Sequence, residues 1–235
     1  MESKRGRMSV AAIIPSAGRG RRLGARCPKP FVLVRGLPLF VHTVLRIQRA
    51  FSFKEILVAL HPSRKKAAGA WLRRCGLTAV RLVNGGKTRA ESVRNAVRHV
   101  SEGCEWVLVH DAARPLVNRE LVKRMIRGAR QSGAAVCVVP VTATVKRVNP
   151  EKKTVLRTEN RSVLFLAQTP QVFKRSLLAD RYRRLGARAF RCTDEAALFD
   201  GTRVKVNAVI GDEKNIKVTT LEDLRLLDYY LAKAR

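Results

Sequence analysis

The residues best placed for chemistry are Ser16-Ala17-Gly18-Arg19-Gly20-Arg21-Arg22-Leu23-Gly24, with Cys27-Pro28-Lys29-Pro30 close behind. Gly18, Gly20 and Gly24 let a backbone turn at positive φ and come close to a ligand. Their N–H groups and the surrounding arginines favour an anion, which is what binding a polyphosphate requires. The run is neither Gly-x-Gly-x-x-Gly nor a Walker loop, and taken alone it serves equally well as a solvated turn. Two more segments join it as candidates: the Gly85-Gly86 break, and Asp111 to Pro115, which opens on a carboxylate and includes Arg114.

Elements of alternating type must position these loops. Val10 to Ile14 is a short apolar, partly β-branched run that reads as a buried first strand. Residues 38–51 carry apolar side chains at helical spacing, and 55–60 read as the next strand. Ser63 is expected to cap a helix that ends near Arg74 and Gly76, before a third strand at 79–83. A helix over 88–100, a buried strand over 106–109, a helix over 118–131 and a strand over 134–141 follow. This alternation predicts right-handed crossovers and a mostly parallel, twisted α/β sheet with helices on both faces. In such sheets ligands gather at the carboxyl ends of the strands, where all three loops fall.

From Thr142 to Glu159 two short β-branched runs flank a polar turn, the pattern of a projecting β-hairpin. Such a hairpin suits either pairing with another chain or a solvent-exposed flap. Beyond it, Gln168 to Gln171 reads as a return connection and Phe173 to Leu185 as a helix. Another helix is expected over 193–200 with Thr193 as N-cap, then a strand over 203–210 and a last helix over 221–233.

With 235 residues the chain can bury one full-sized core, so residues 8–235 are expected to form a single domain with 141–164 as an inserted arm. Residues 1–7 read as a disordered basic tail, and Met8 as an alternative start. The apolar stretch after that tail is too short for an export signal and ends in Pro15, and no apolar run approaches membrane-spanning length. Five scattered cysteines without Cys-x-x-Cys spacing support neither a zinc site nor a disulfide framework, so a reducing cytoplasm is expected. The formal charge of +30 is spread along the chain without interleaved aromatics. It reads as a solvated basic surface rather than a nucleic-acid face.

In this order the segments PSAGRGRRLG with CPKP, GGKTRAESV, VLVHDAARP, TVKR, ENR with QTPQVF, TDEAALF and GDEKNIKVTTLEDL resemble the 2-C-methyl-D-erythritol 4-phosphate cytidylyltransferases of the non-mevalonate isoprenoid pathway. The resemblance implies a nucleotide-diphosphosugar-transferase-like core and a homodimer embraced through the β-arm. It also implies Mg²⁺-dependent transfer from CTP to methylerythritol phosphate, giving CDP-methylerythritol and pyrophosphate. By the same match, Arg22 and Lys29 would stabilise charge at the triphosphate, while Lys217 and the partner's Arg161 would hold the acceptor phosphate. Asp111 would serve the metal and the sugar. Arg114, Thr144, Thr169 and Thr193 match acceptor-contacting positions, and Ser16, Ala17, Gly18, Gly20, Gly86 and Ser92 match the surroundings of CTP.

Three positions depart from the family's pattern: Ala143 stands for an aspartate, Pro30 for a glutamine and Ser16 for an alanine. Ala143 lies toward the acceptor, which leaves a sister enzyme acting on ribitol 5-phosphate as the alternative. A non-catalytic nucleic-acid-binding protein on the same fold is the alternative from another class.

Overall fold

The computed structural model describes residues 8–18 and 28–233. β1 (Val10–Pro15) is followed by a two-stranded ribbon of β2 (Leu33–Val34) and β3 (Leu37–Pro38), then α1 (Leu39–Ala50) and β4 (Glu55–Leu60). Next come α2 (Lys65–Arg74), β5 (Val80–Asn84), α3 (Arg89–Arg98), β6 (Trp106–Val109), α4 (Arg119–Ser132) and β7 (Ala134–Pro140). The remainder comprises β8 (Lys146–Asn149), β9 (Thr154–Thr158), β10 (Phe165–Lys174), α5 (Arg175–Leu185), β11 (Asn207–Ile210) and α6 (Leu221–Lys233).

Seven strands form one sheet in the order β11-β7-β10-β6-β1-β4-β5. β1 lies near its middle, parallel to β4 on one side and β6 on the other. Its side chains alternate between two cores, as a strand's period of two requires. Val10, Ala12 and Ile14 pack with α1, α2 and α4, whereas Ala11 and Ile13 pack with α3 and α5. Both faces are thus covered, so β1 is apolar throughout rather than alternating with polar residues.

Helix ends follow local chemistry. Thr88 accepts the Glu91 N–H at 3.1 Å to cap α3, and Asn118 accepts the Leu121 N–H at 2.8 Å to cap α4. Gly133, at φ 90°, closes α4 in the left-handed conformation that favours glycine.

The structure corrects the chain reading in its second half. Phe165–Lys174 is a long strand, antiparallel to both β6 and β7, where a connection was expected over Gln168–Gln171 and a helix from Phe173. Its alternation is interrupted by Pro170, which has no N–H for a ladder, and the register shifts between Gln168 and Gln171. Thr193 caps no α-helix. Residues Ala196–Phe199 form a 3-10 turn instead, with the Ala197 N–H donated to Asp194 Oδ1 at 3.0 Å. β11 begins at Asn207 rather than 203. A 3-10 turn, Pro62–Arg64, precedes α2 where Ser63 was expected to cap it directly.

β8 and β9 pair antiparallel as the expected hairpin, and nearly every residue in them is exposed.

Candidate active site

The described parts of the three expected loops meet at the C-terminal ends of β1, β5 and β6. A cavity of about 270 Å³ opens there, lined on one side by Ser16, Ala17, Gly18 and Lys29, and on the other by Arg89, Ser92, Asp111 and Lys217. Gly86 lies against it through Ser92, whose Oγ accepts the Gly86 N–H at 2.9 Å and donates to Thr88 O at 2.8 Å. The neighbouring Gly85 has no room for a side chain, because a Cβ there would stand 2.6 Å from that of Ala17. Close approach of two backbones therefore shapes this wall. Gly20 and Arg22 lie outside the described residues.

A second cavity, of about 140 Å³, adjoins the first and is lined by Arg114, Thr169, Gln171, Thr193 and Asp194. Arg89, Asp111 and Lys217 line both cavities and so form the boundary between them. Thr144 and Arg161 line neither. Both are exposed in or beside the arm, and the Arg161 guanidinium donates to the carbonyl of Thr142.

Asp111 is the centre of the arrangement. Its Oδ1 accepts from Arg89 Nε and its Oδ2 from Lys217 Nζ, each at 2.7 Å. Thr169 Oγ1 accepts the Asp111 N–H at 3.0 Å and lies 3.1 Å from His110 Nδ1. The other ring nitrogen of His110 is 2.8 Å from Arg114 O, which can only accept. Nε2 therefore carries the proton, and because burial disfavours the charged ring the imidazole is neutral and Nδ1 accepts from the Thr169 hydroxyl. That burial pushes His110 down from 6.5 to about 4.

Lys217 owes its place to its neighbours. Asn215 is fully buried and donates to Thr169 O at 2.7 Å, while its own carbonyl accepts from Arg114 Nη1 at 2.8 Å. The Val218 N–H bonds Ala113 O at 2.8 Å. The segment is thus strapped to the loop after β6, and Lys217 stands over Asp111 on a half-exposed stem.

Arg89 and Glu195 are the site residues missed from sequence. Arg89 Nη1 donates to both oxygens of the wholly buried Glu195 at 2.8 Å, and the Tyr182 hydroxyl adds a bond at 3.2 Å. Sequence gave one usable signal, an arginine in the first turn of the helix after Gly85-Gly86. Glu195 read only as a first-turn acid of a helix that does not form. The two carboxylates differ in acidity. Asp111, between two cations, is held far below the usual carboxylate range despite its burial, whereas burial outweighs the single guanidinium at Glu195 and raises it.

A doubly wound, mostly parallel sheet with a glycine-bearing loop after a central strand, and with cations around one carboxylate at the strand ends, defines a nucleotide-binding α/β enzyme. The sequence profile described as 2-C-methyl-D-erythritol 4-phosphate cytidylyltransferase matches residues 10–233, so the chain belongs to that family of nucleotidyltransferases. A curated relative of that name from Bacillus mycoides is 38% identical over 220 residues, covering 93% of this chain and 96% of its own. Another, from Syntrophus aciditrophicus, is 37% identical over 226 residues, with 95% and 96% covered. Among solved structures, the 4-diphosphocytidyl-2C-methyl-D-erythritol synthase of Anaerococcus prevotii superposes with a TM-score of 0.83 at 29% identity, covering 96% of this chain and 99% of that one. The Thermus thermophilus cytidylyltransferase does so at 0.78 and 33% identity, with 96% and 100% covered.

Proposed function

We propose that the site transfers a cytidylyl group from CTP to 2-C-methyl-D-erythritol 4-phosphate. The observation that carries this, beside the family, is the pair of adjoining cavities whose shared boundary is Arg89, Asp111 and Lys217. An oxygen of the acceptor phosphate attacks the α-phosphorus of CTP, forming a P–O–P bond. The bond to the bridging oxygen of the β-phosphate breaks, and pyrophosphate leaves with its electron pair. Two anions must meet, so catalysis is positioning and charge neutralisation by cations already in place.

The nucleotide occupies the larger cavity, with its base and ribose against Ser16, Ala17, Gly86 and Ser92. Gly18, Gly20, Arg22 and Lys29 serve the triphosphate. Arg forks onto two oxygens and Lys acts as a point charge. The acceptor occupies the smaller cavity with Arg114, Thr169 and Thr193, and Thr144 closes over it from the arm. Lys217 gives up Asp111 for the acceptor phosphate, a move that its half-exposed stem allows.

Asp111 suits Mg²⁺. It is ionised, borders both cavities, and keeps a lone pair on each oxygen beyond its bonds to Arg89 and Lys217. Among the described residues no three carboxylates, histidines or cysteines cluster, which fits a hard ion held mainly by phosphates and water. When bound, Mg²⁺ would neutralise triphosphate charge and orient the α-phosphate.

The arm, 141–164, pairs with a second copy and brings its Arg161 to the acceptor phosphate. Supporting this, Val155, Leu156 and Val163 are 62%, 60% and 71% exposed, an apolar load that an isolated ribbon leaves to water. A cytoplasmic location belongs to the same reading, since a reducing compartment suits the free thiols Cys75, Cys104, Cys137 and Cys192; separately, no described helix is long and apolar enough to cross a membrane.

The test is pyrophosphate release with CTP and Mg²⁺, offering methylerythritol 4-phosphate and ribitol 5-phosphate in parallel. Turnover with the first alone is expected. Preference for the second would move the assignment to the sister activity.

A further inference from the structure

Arg89 holds two carboxylates with one guanidinium, and only one of them borders a cavity. Nε reaches Asp111 Oδ1 at 2.7 Å, and Nη1 reaches both oxygens of Glu195 at 2.8 Å. Glu195 lines neither cavity, is 0% exposed, and takes a third bond from the Tyr182 hydroxyl of α5. Keeping such a carboxylate ionised inside a protein costs several kcal/mol, and well-packed apolar side chains stabilise a core as well or better. The pair therefore invites an explanation at the site that it faces.

We propose that Arg89, gripped from behind by Glu195, is a positioning residue for the transfer, holding the Asp111 carboxylate in one orientation at the boundary of the two cavities. This rests on the cytidylyltransferase reading above. Lys217, the other partner of Asp111, has a side chain 41% exposed on a flexible stem and is committed to the acceptor phosphate during turnover. Once it moves, Arg89 is the cation left on Asp111. A planar guanidinium gripped at both oxygens of Glu195 cannot swivel, so Oδ1 of Asp111 keeps its direction; a lysine would supply charge without direction. Glu195 thereby acts through Arg89, and Tyr182 through Glu195.

The test separates positioning from mere stability by removing the buried pair as a unit. Arg89→Met/Glu195→Gln leaves no charge at the Glu195 position and leaves Asp111 its bond to Lys217, so the chain should still fold, with a lowered melting temperature for the cation that Asp111 loses. Its kcat should fall about 100-fold, as expected for a group misplaced by about 1 Å. KM for CTP and for methylerythritol 4-phosphate should rise by less than kcat falls: Arg89 lines both cavities and its buried Nη2 has no protein partner, so some substrate contact goes with it, whereas its hold on Asp111 acts on the transfer step. Arg89→Lys, which keeps the charge, guards against a double variant that fails to fold, and its kcat should fall at least about tenfold. Wild-type kcat in a folded double variant, or in Arg89→Lys, would overturn the positioning role. A wild type that releases no pyrophosphate would instead sink the functional reading, and this role with it.

Discussion

At the residue scale the site depends on protonation states that burial imposes. His110 is packed neutral beneath Asp111, donating to Arg114 O and accepting from Thr169. Its folded value near 4 lies below the ordinary 6.5, so between those values the unfolded chain binds a proton that the native state refuses. Stability is then complete above pH 6.5 and is lost as pH falls toward 4, by up to about 1.4 kcal/mol per pH unit. Replacing the group, as in His110→Gln, removes that slope while leaving an amide that can donate and accept. Denaturant unfolding should show the wild type losing about 2 kcal/mol more than the variant between pH 7 and pH 5. Parallel pH profiles would mean that His110 is not the neutral strut described here. From sequence His110 was legible only as the residue before Asp111, because its role comes from Thr169 on a strand 59 positions later.

At the element scale the nucleotide wall depends on how closely the turn after β5 approaches the loop after β1. Gly85→Ala would place a Cβ 2.6 Å from Ala17 Cβ and 3.1 Å from Ser92 Oγ. Overpacking of this kind costs about 1–3 kcal/mol, so KM for CTP should rise about tenfold with kcat at saturation nearly preserved. An unchanged KM would place the nucleotide elsewhere. The elements carrying this wall were legible because each announces itself locally: β1 by its unbroken apolar run, and α3 by Val93, Ala96 and Val97 along one side. β10 was not, since proline and a register shift interrupt its period and its pairing partners are fixed by tertiary contact alone. Glu195 was hidden for a related reason. An acid in a supposed first helical turn looks solvated, and only Arg89, 106 residues away, shows that it is buried.

At the scale of the whole molecule, Arg161 and Thr144 line neither cavity of their own chain. If the arm crosses to a partner, Arg161→Ala and Lys217→Ala chains should each be inactive alone. Random exchange should return about a quarter of wild-type activity, since half the dimers are mixed and each mixed dimer has one intact site. No recovery despite proven exchange would put Arg161 in its own chain's site or outside the chemistry. The +30 charge is a property of the same surface and was fully legible from composition, but its use was not. Charge of this size concentrates anions generally, polyphosphate substrates included, without selecting among them.

The central claim is that the boundary formed by Arg89, Asp111 and Lys217 joins two phosphates, and phosphorus NMR of the reaction mixture tests it most directly. With CTP, Mg²⁺ and 2-C-methyl-D-erythritol 4-phosphate, the account predicts two coupled resonances of a new unsymmetrical diphosphate, growing in step with pyrophosphate. CTP consumed to CMP and pyrophosphate without that coupled pair, or not consumed at all, would contradict it.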